Sequence, residues 1–342
     1  MSAYGLRGQY EVPSEEYRIG RILSQEKGLY GMVSSEGEQT AAVSGKFRYT
    51  AASVSDFPVV GDFVLIDNGY TDNNAVIHRV LPRKSMFVRK AAGTGICEQV
   101  VASNIDTVFI CMSLYCDFNL RRLERYLSAA WDSGAVPVIV LTKADLCDDV
   151  DYYVSKVRDI SFGTDIITTS TSEKDSFKKL LPYIGKGKTA SLIGSSGVGK
   201  STLINSLLGE DVIETGGLRN DGKGRHTTTR RELFLLEGGG AVIDTPGMRE
   251  LGLWDADEGL DRLFADIEAL SEMCRFKDCT HGVEPGCAVK EAINDGRLCE
   301  ERFTSYIKLK AESAYCENTD EYLAEKKRKF KSIAKINKDR RK

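Results

Sequence analysis

Between Tyr17 and about Pro82 the chain breaks into short runs in which apolar residues alternate with polar ones or stand together: RIGRIL, LYGMVSS, AAVSGKFR, VVGDFVLID and NNAVIHRVL. Turn-forming pairs, Gly61 with Asp62 and Asn68 with Gly69, punctuate them, and the pattern predicts five short strands. So many strands in so little chain predict a small barrel such as an OB-fold, a form that often binds nucleic acid; a different small all-β accessory domain is the alternative. After a Gly- and Ala-bearing link near Ala91 to Gly95 the period changes. The buried run TVFICMSL is followed by a helical face of Leu120, Leu123, Leu127, Ala130 and Trp131, and then by a second buried run, AVPVIVL. Strand and helix go on alternating through DIITTS, a helix ending near Ile184, TASLIG, a helix from Gly199, and the strands ELFLLE and AVIDT, which predicts an α/β domain with a mostly parallel sheet. Past Leu253 the pattern is helical, with Glu300 to Tyr315 and Tyr322 to Ile336 as helices around a Cys- and His-bearing loop. The reading is a multidomain α/β protein: an N-terminal β-barrel over 1–90, an α/β domain over 91–253 and a helical domain over 254–342.

Composition narrows this only slightly. With 42% hydrophobic and 28% charged residues among 342, the chain is neither disordered nor low-complexity. Its start has no apolar leader core and no apolar run approaches the roughly 20 residues that cross a bilayer, so a soluble cytoplasmic protein without a membrane partner is expected. Charge adds more. The formal net charge of −3 conceals a tail, 326–342, that holds ten basic residues and one acid, an asymmetry that suggests a polyanionic partner. The 9 Cys are odd in number and scattered, which argues against a disulfide framework, yet three of them, Cys274, Cys279 and Cys287, crowd around His281.

The chemistry begins with Gly194-Ser195-Ser196-Gly197-Val198-Gly199-Lys200-Ser201, which fits G-x-x-x-x-G-K-[ST] between an apolar strand and a helix opening at Thr202. Glycines let such a loop turn its N–H groups onto a β-phosphate; Lys200 balances charge on the β- and γ-phosphates, and the Ser201 hydroxyl suits Mg²⁺. Asp244-Thr245-Pro246-Gly247 ends a later strand as a DxxG, with Asp244 placed for the Mg²⁺ shell and the Gly247 N–H for the γ-phosphate. Thr142-Lys143-Ala144-Asp145 follows the strand VIVL and fits [NT]KxD, in which a carboxylate accepts from both N1–H and the N2 amine of guanine. Ser170, within Thr169-Ser170-Thr171, would sit beside the base; a polar helix cap is the other reading of that tripeptide.

The order is permuted, because the base-reading motif precedes the phosphate loop. Circular permutation is physically permissible where domain termini lie close together. Between phosphate loop and DxxG, the stretch Gly224-Arg225-His226-Thr227-Thr228-Thr229 occupies the place of a switch loop, with Thr228 or Thr229 as a Mg²⁺ ligand. Where many nucleotide hydrolases carry a water-positioning Gln after DxxG, this chain has Met248, which leaves His226 as the candidate for that work. Cys274-x4-Cys279-x-His281-x5-Cys287 offers the donor set of one closed structural zinc site, against free thiols in a reduced compartment. Cys111 and Cys116 read as buried thiols near a strand end.

Together GSSGVGKST, GRHTTT, DTPGMRE, the early TKAD and CRFKDCTHGVEPGCA resemble the RsgA (YjeQ) family of circularly permuted GTPases that depend on the small ribosomal subunit. The resemblance covers nearly the whole chain. It implies an OB-fold, a circularly permuted P-loop GTPase domain and a C-terminal zinc-binding domain. It also implies GTP hydrolysis to GDP, stimulated by the maturing small subunit and its rRNA, by a cytoplasmic monomer. By residue, the resemblance puts the switch His at His226, the zinc ligands at Cys274, Cys279, His281 and Cys287, and the hydrophobic replacement of Gln at Met248. Related potassium-dependent GTPases have Asn where this chain has Gly197, so potassium activation is not expected. A GTP-gated RNA-binding module without ribosome-stimulated turnover is the rival reading.

Overall fold

The computed structural model describes residues 1–6, 12–26, 28–67, 74–90, 98–115, 118–173, 175–195, 197–213, 231–244, 257–282 and 284–317. Strands β1 (Tyr17–Glu26), β2 (Leu29–Ser34), β3 (Gly37–Val43), β4 (Phe63–Asp67) and β5 (Ala75–Val80) pair in the cyclic order β1-β2-β3-β5-β4-β1, with β3 and β5 parallel. Closure leaves none of the five as a free edge, as in OB-type barrels. β1 achieves it by serving two neighbours: Tyr17 to Arg21 pair with β4, and from Arg21 to Glu26 the strand runs against β2, with a register shift between Ile22 and Ser24. Ile22, Tyr30, Met32, Val64, Ile66 and Ile77 fill the interior. The third predicted strand, AAVSGKFR, is only half a strand. Ser44 accepts the Phe47 N–H at 3.0 Å and caps α1 (Gly45–Thr50), so the chain turns helical, and Phe47 packs on the barrel core and edge-on to Phe57. A hairpin that the pattern did not predict, β6 (Met86–Lys90) with β7 (Glu98–Ser103), flanks the predicted link, which itself lies outside the described residues.

The α/β sheet has the order β10-β9-β8-β11-β13-β12, from β8 (Thr107–Ser113), β9 (Val136–Thr142), β10 (Asp165–Thr168), β11 (Thr189–Ile193), β12 (Glu232–Leu235) and β13 (Ala241–Asp244). All pairings are parallel except that of β12 with β13. β8 and β11 are buried along their whole length, the mark of strands covered on both faces, and α2 (Leu120–Asp132), α3 (Val150–Arg158) and α4 (Lys200–Leu208) intervene in sequence. The helix expected to end near Ile184 is a 3₁₀ segment, Ser176–Tyr183; Pro182 within it has no N–H to continue an α-helical ladder.

A bridge between Ser24 and Glu232 joins β1 to β12, so barrel and α/β sheet lie in one unit, Met1–Gly252. Arg21 is buried at this junction. Its guanidinium donates to the carbonyls of Tyr4, Gly61 and Asn104 and, at 2.8 Å, to Thr189 Oγ1, and it lies 4.8 Å from the centre of the Phe63 ring. Burial pulls its pKa down to about 10 while Asp106 and Asp62 pull the other way, so the group is charged at neutral pH. Nearby, the fully buried Asp62 accepts from Arg83, Ser103 Oγ and the Val59 N–H.

The second unit, Leu253–Lys342, contains α5 (Asp257–Leu263), α6 (Ala265–Glu272), α7 (Ala288–Asn294) and α8 (Glu300–Glu317). Leu260, Phe264, Ile267, Val289, Ala292 and Leu309 are buried in it. Arg302, 7% exposed, grips both oxygens of Asp266 at 2.8 and 2.9 Å and lies 4.9 Å over Phe264. The helix expected from Tyr322 and the basic tail lie outside the described residues. Among the described residues no helix is long and apolar enough to cross a membrane.

Candidate nucleotide and metal sites

The carboxyl ends of the parallel strands share one edge of the sheet, the edge where open α/β sheets bind ligands. Thr142, Thr168, Ile193 and Asp244 close β9, β10, β11 and β13 there. At Gly194 the backbone leaves β11 with φ +143°, so close to β8 that a Cβ would stand 2.3 Å from the Cys111 carbonyl oxygen. Only glycine fits. Gly197 and Gly199 also have positive φ, and the loop delivers the chain into α4 with Gly199 at the N-cap and no side chain capping the helix. The first N–H groups of α4 thus meet no capping side chain, which suits them to an anion. Lys200, 9% exposed, donates from Nζ to the carbonyls of Gly194 at 2.8 Å and Ser195 at 2.7 Å. Beneath the loop, burial pushes the Cys111 thiol up to about 12, with Lys200 opposing, so Cys111 is an inert buried thiol as expected; Cys116 is outside the described residues.

The turn at 142–145, expected to read a base, is tied to this loop. Thr142 Oγ1 donates to the Val198 carbonyl at 2.6 Å, and Lys143 turns the chain through φ +58° into the 3₁₀ segment Ala144–Leu146, which leaves Asp145 exposed. Ser170 Oγ donates to Asp145 Oδ1 at 2.7 Å, and the Ala144 N–H donates to the Thr169 carbonyl at 3.1 Å. Ser176 then closes the second turn, donating to the Ser170 carbonyl at 2.7 Å and accepting its N–H. Thr142, Asp145, Ser170 and the loop around Val198 therefore form one hydrogen-bonded constellation. Ser201 and Thr202 open α4, and Asp244 ends β13. Ser196, His226, Thr228, Thr229, Gly247 and Met248 lie outside the described residues.

In the second unit the ligand atoms of Cys274, Cys279, His281 and Cys287 all lie within 4.8 Å of one another. Cys274 follows α6, Cys287 caps α7, and the loop between them carries the other two. Sγ of Cys274 is 3.9 Å from Sγ of Cys287, close to the ~3.8 Å edge of a tetrahedron with metal–sulfur bonds of about 2.3 Å. The donor set and its spacing fit one metal ion. Nδ1 of His281 faces the thiols, 3.6 Å from Cys274 and 3.4 Å from Cys287, while Nε2 lies 3.2 Å from Ser271 Oγ. That hydroxyl already donates to the Ile267 carbonyl at 2.9 Å, so toward His281 it accepts, which places the ring proton on Nε2 and the lone pair on Nδ1. Burial works against ionisation of Cys274, but backbone N–H groups of Val289 and Ala288 at the start of α7, together with the Cys287 and Cys279 thiols, outweigh it and hold its pKa below the ordinary thiol value. Glu284 accepts from the N–H groups of Thr280 and Gly282, pinning the loop in which His281 has φ +58°.

Sequence reasoning did not find Ser271, Glu284 or Arg122, whose guanidinium donates to Ser195 Oγ at 2.7 Å. No motif marks them, because each acts through a contact that only the fold creates.

A family model described as RsgA GTPase matches residues 80–254. The small ribosomal subunit biogenesis GTPase RsgA 2 of Lactiplantibacillus plantarum is 50% identical over 298 residues, 87% of this chain and 84% of its own. The corresponding RsgA 1 of Oceanobacillus iheyensis is 44% identical over 335 residues, 97% of this chain and 95% of its own. Among solved structures, YjeQ from Thermotoga maritima superposes with a TM-score of 0.65 at 29% identity, covering 86% of this chain and 97% of that one. YloQ, a circularly permuted GTPase, shares the fold with a TM-score of 0.61 at 24% identity, covering 91% and 99%.

Proposed function

The chain belongs to the RsgA GTPase family, and from that premise we propose that it hydrolyses GTP to GDP and phosphate on the maturing small ribosomal subunit, coupling hydrolysis to late assembly and its own release. The observation that carries the reading is the bond from Thr142 Oγ1 to the Val198 carbonyl, which locks a guanine-reading turn to a phosphate loop at one edge of the sheet. Asp145, steered by Ser170, accepts the two guanine donors. Backbone N–H groups from Gly194 to Thr202 and the Lys200 ammonium receive the phosphates. Ser201, Asp244 and one of Thr228 or Thr229 would hold Mg²⁺, which supplies charge neutralisation at the β- and γ-phosphates, and the Gly247 N–H meets the γ-phosphate. His226 orients the attacking water in place of the Gln that Met248 replaces.

Cys274, Cys279, His281 and Cys287 would hold one structural zinc ion, all four positions filled by protein. The barrel, the zinc-bearing loop and the basic tail serve as rRNA contacts, and the protein works as a cytoplasmic monomer. The test is GTP turnover by the purified chain at fixed salt, alone, with small subunits and with large subunits. Stimulation by small subunits alone is expected, and His226→Ala should abolish it while nucleotide affinity persists. Turnover indifferent to small subunits, with guanine binding intact, would favour the GTP-gated RNA-binding module.

A further inference from the structure

Arg122 sits in the first turn of α2, where Asn119 Oδ1 accepts its backbone N–H at 3.0 Å and fixes the start of the helix. From there its guanidinium reaches across 73 residues of sequence and donates from Nη1 to Ser195 Oγ at 2.7 Å. Ser195 is also the residue whose carbonyl holds Lys200 Nζ at 2.7 Å. It lies just beyond the left-handed Gly194, past the end of β11 and before α4, where neither strand nor helix hydrogen bonds set its backbone. We propose that Arg122 is a positioning residue for the phosphate loop: it holds Ser195 in place and, through the Ser195 carbonyl, sets the Lys200 ammonium where the nucleotide phosphates bind. Lysine is a point charge on a flexible stem, so its direction must come from fixed acceptors, whereas a planar guanidinium loses less freedom for each bond it makes. A bond from a charged donor is also stronger than a neutral one. The inference rests on reading 194–201 as the phosphate loop.

A double-mutant cycle tests it, with GTP and GDP dissociation constants and melting temperatures measured on full-length Arg122→Ala, Ser195→Ala, the double variant and Arg122→Lys. Each single alanine variant should weaken both nucleotides about tenfold, the scale of one hydrogen bond to a charged group. Because the two residues act in series, the double variant should lose little more than the worse single one. Arg122→Lys, which keeps a charged donor, should recover part of the loss, and the melting temperature of Ser195→Ala should stay within about a degree of the parent. Additive losses, or nucleotide affinity unmoved in Ser195→Ala, would overturn the proposal. If Arg122→Ala does not fold, Ser195→Ala and Arg122→Lys still decide the question. Failure of the unsubstituted chain to bind GTP would instead remove the phosphate-loop reading beneath it.

Discussion

Asp145 stands exposed, with one oxygen steered by Ser170, so its carboxylate points in a set direction before any base arrives. On the proposed reading guanine presents its adjacent N1–H and N2 amine to this carboxylate, a pair that adenine lacks, so selectivity would come from leaving polar groups unpaired with the wrong base. Asp145→Asn should lower GTP affinity by about 100-fold and raise that for xanthosine triphosphate, whose extra carbonyl suits the amide N–H. Competition binding with the two nucleotides reads this out, and unchanged GTP affinity would remove Asp145 from the site. Ser271 acts on His281 in a comparable way, since it selects which ring nitrogen keeps a lone pair toward the three thiols, where the proposed zinc would bind. Ser271→Ala should weaken zinc about tenfold in competition with a chelator, and Ser271→Thr should retain most of the affinity.

At the scale of elements, α6 and α8 are joined by Glu268, which accepts from Tyr306 Oη at 2.9 Å and pairs with Lys310 Nζ at 2.6 Å. Burial raises the Glu268 pKa, but its bonds from Lys310 and Tyr306 outweigh that and hold it below the ordinary value. A carboxylate lowered in the folded state contributes stability above its unfolded pKa, near 4.5, and loses that contribution as pH falls through the folded value. The stability difference between parent and Glu268→Gln should therefore be flat from pH 6 to 8 and shrink below about pH 4.5; chemical denaturation at stepped pH measures it.

The elements also mark where sequence was sufficient. β8, β9 and β11 were legible because they are covered on both faces, which requires uninterrupted apolar runs. α2 was legible because Leu123, Leu127 and Ala130 recur at helical spacing. β6 and β7 were missed because each carries polar residues among its apolar ones and pairs only with the other. α1 was taken for strand because the decisive signal was a single capping serine, Ser44, rather than any periodicity. The stretches 194–201 and 142–145 and the Cys and His cluster stood out in the sequence as spacings, and the fold brings the four ligand atoms of that cluster together, whereas Arg122 and Ser271 are defined by what packs against them.

Across the whole molecule, the junction of barrel and α/β sheet rests on Arg21 and on the buried Asp62 cluster beside it. Arg21→Met would remove the guanidinium donor from the carbonyls of Gly61 and Asn104, the first of which keeps the Asn104 amide, at a cost of roughly 1–3 kcal/mol for an acceptor left unpaired. Calorimetry should show a single lowered transition for residues 1–252, and separate melting of barrel and sheet would contradict a shared junction. Chelation should have the complementary effect, unfolding the helical unit while nucleotide affinity persists, because the metal ligands lie in a different compact unit from the phosphate loop.

The permuted strand order also governs what a growing chain can do during synthesis. Barrel strands emerge first, and β8, β9 and β10 follow as a consecutive parallel set that can begin to pair as it appears. β11 must then join on the far side of β8, and β13 docks beside it only after a further 47 residues separate Ile193 from Ala241. The edge that carries Thr142 and Asp145 is thus complete before the edge that carries 194–201 and Asp244, and on the proposed reading the whole nucleotide site is assembled only once Asp244, about 70% of the way along the chain, has been made. A chain with the conventional order would complete its phosphate loop early and its base-reading turn last; on the proposed reading this one matures in the opposite sense, with the parts for discrimination in place before those for affinity.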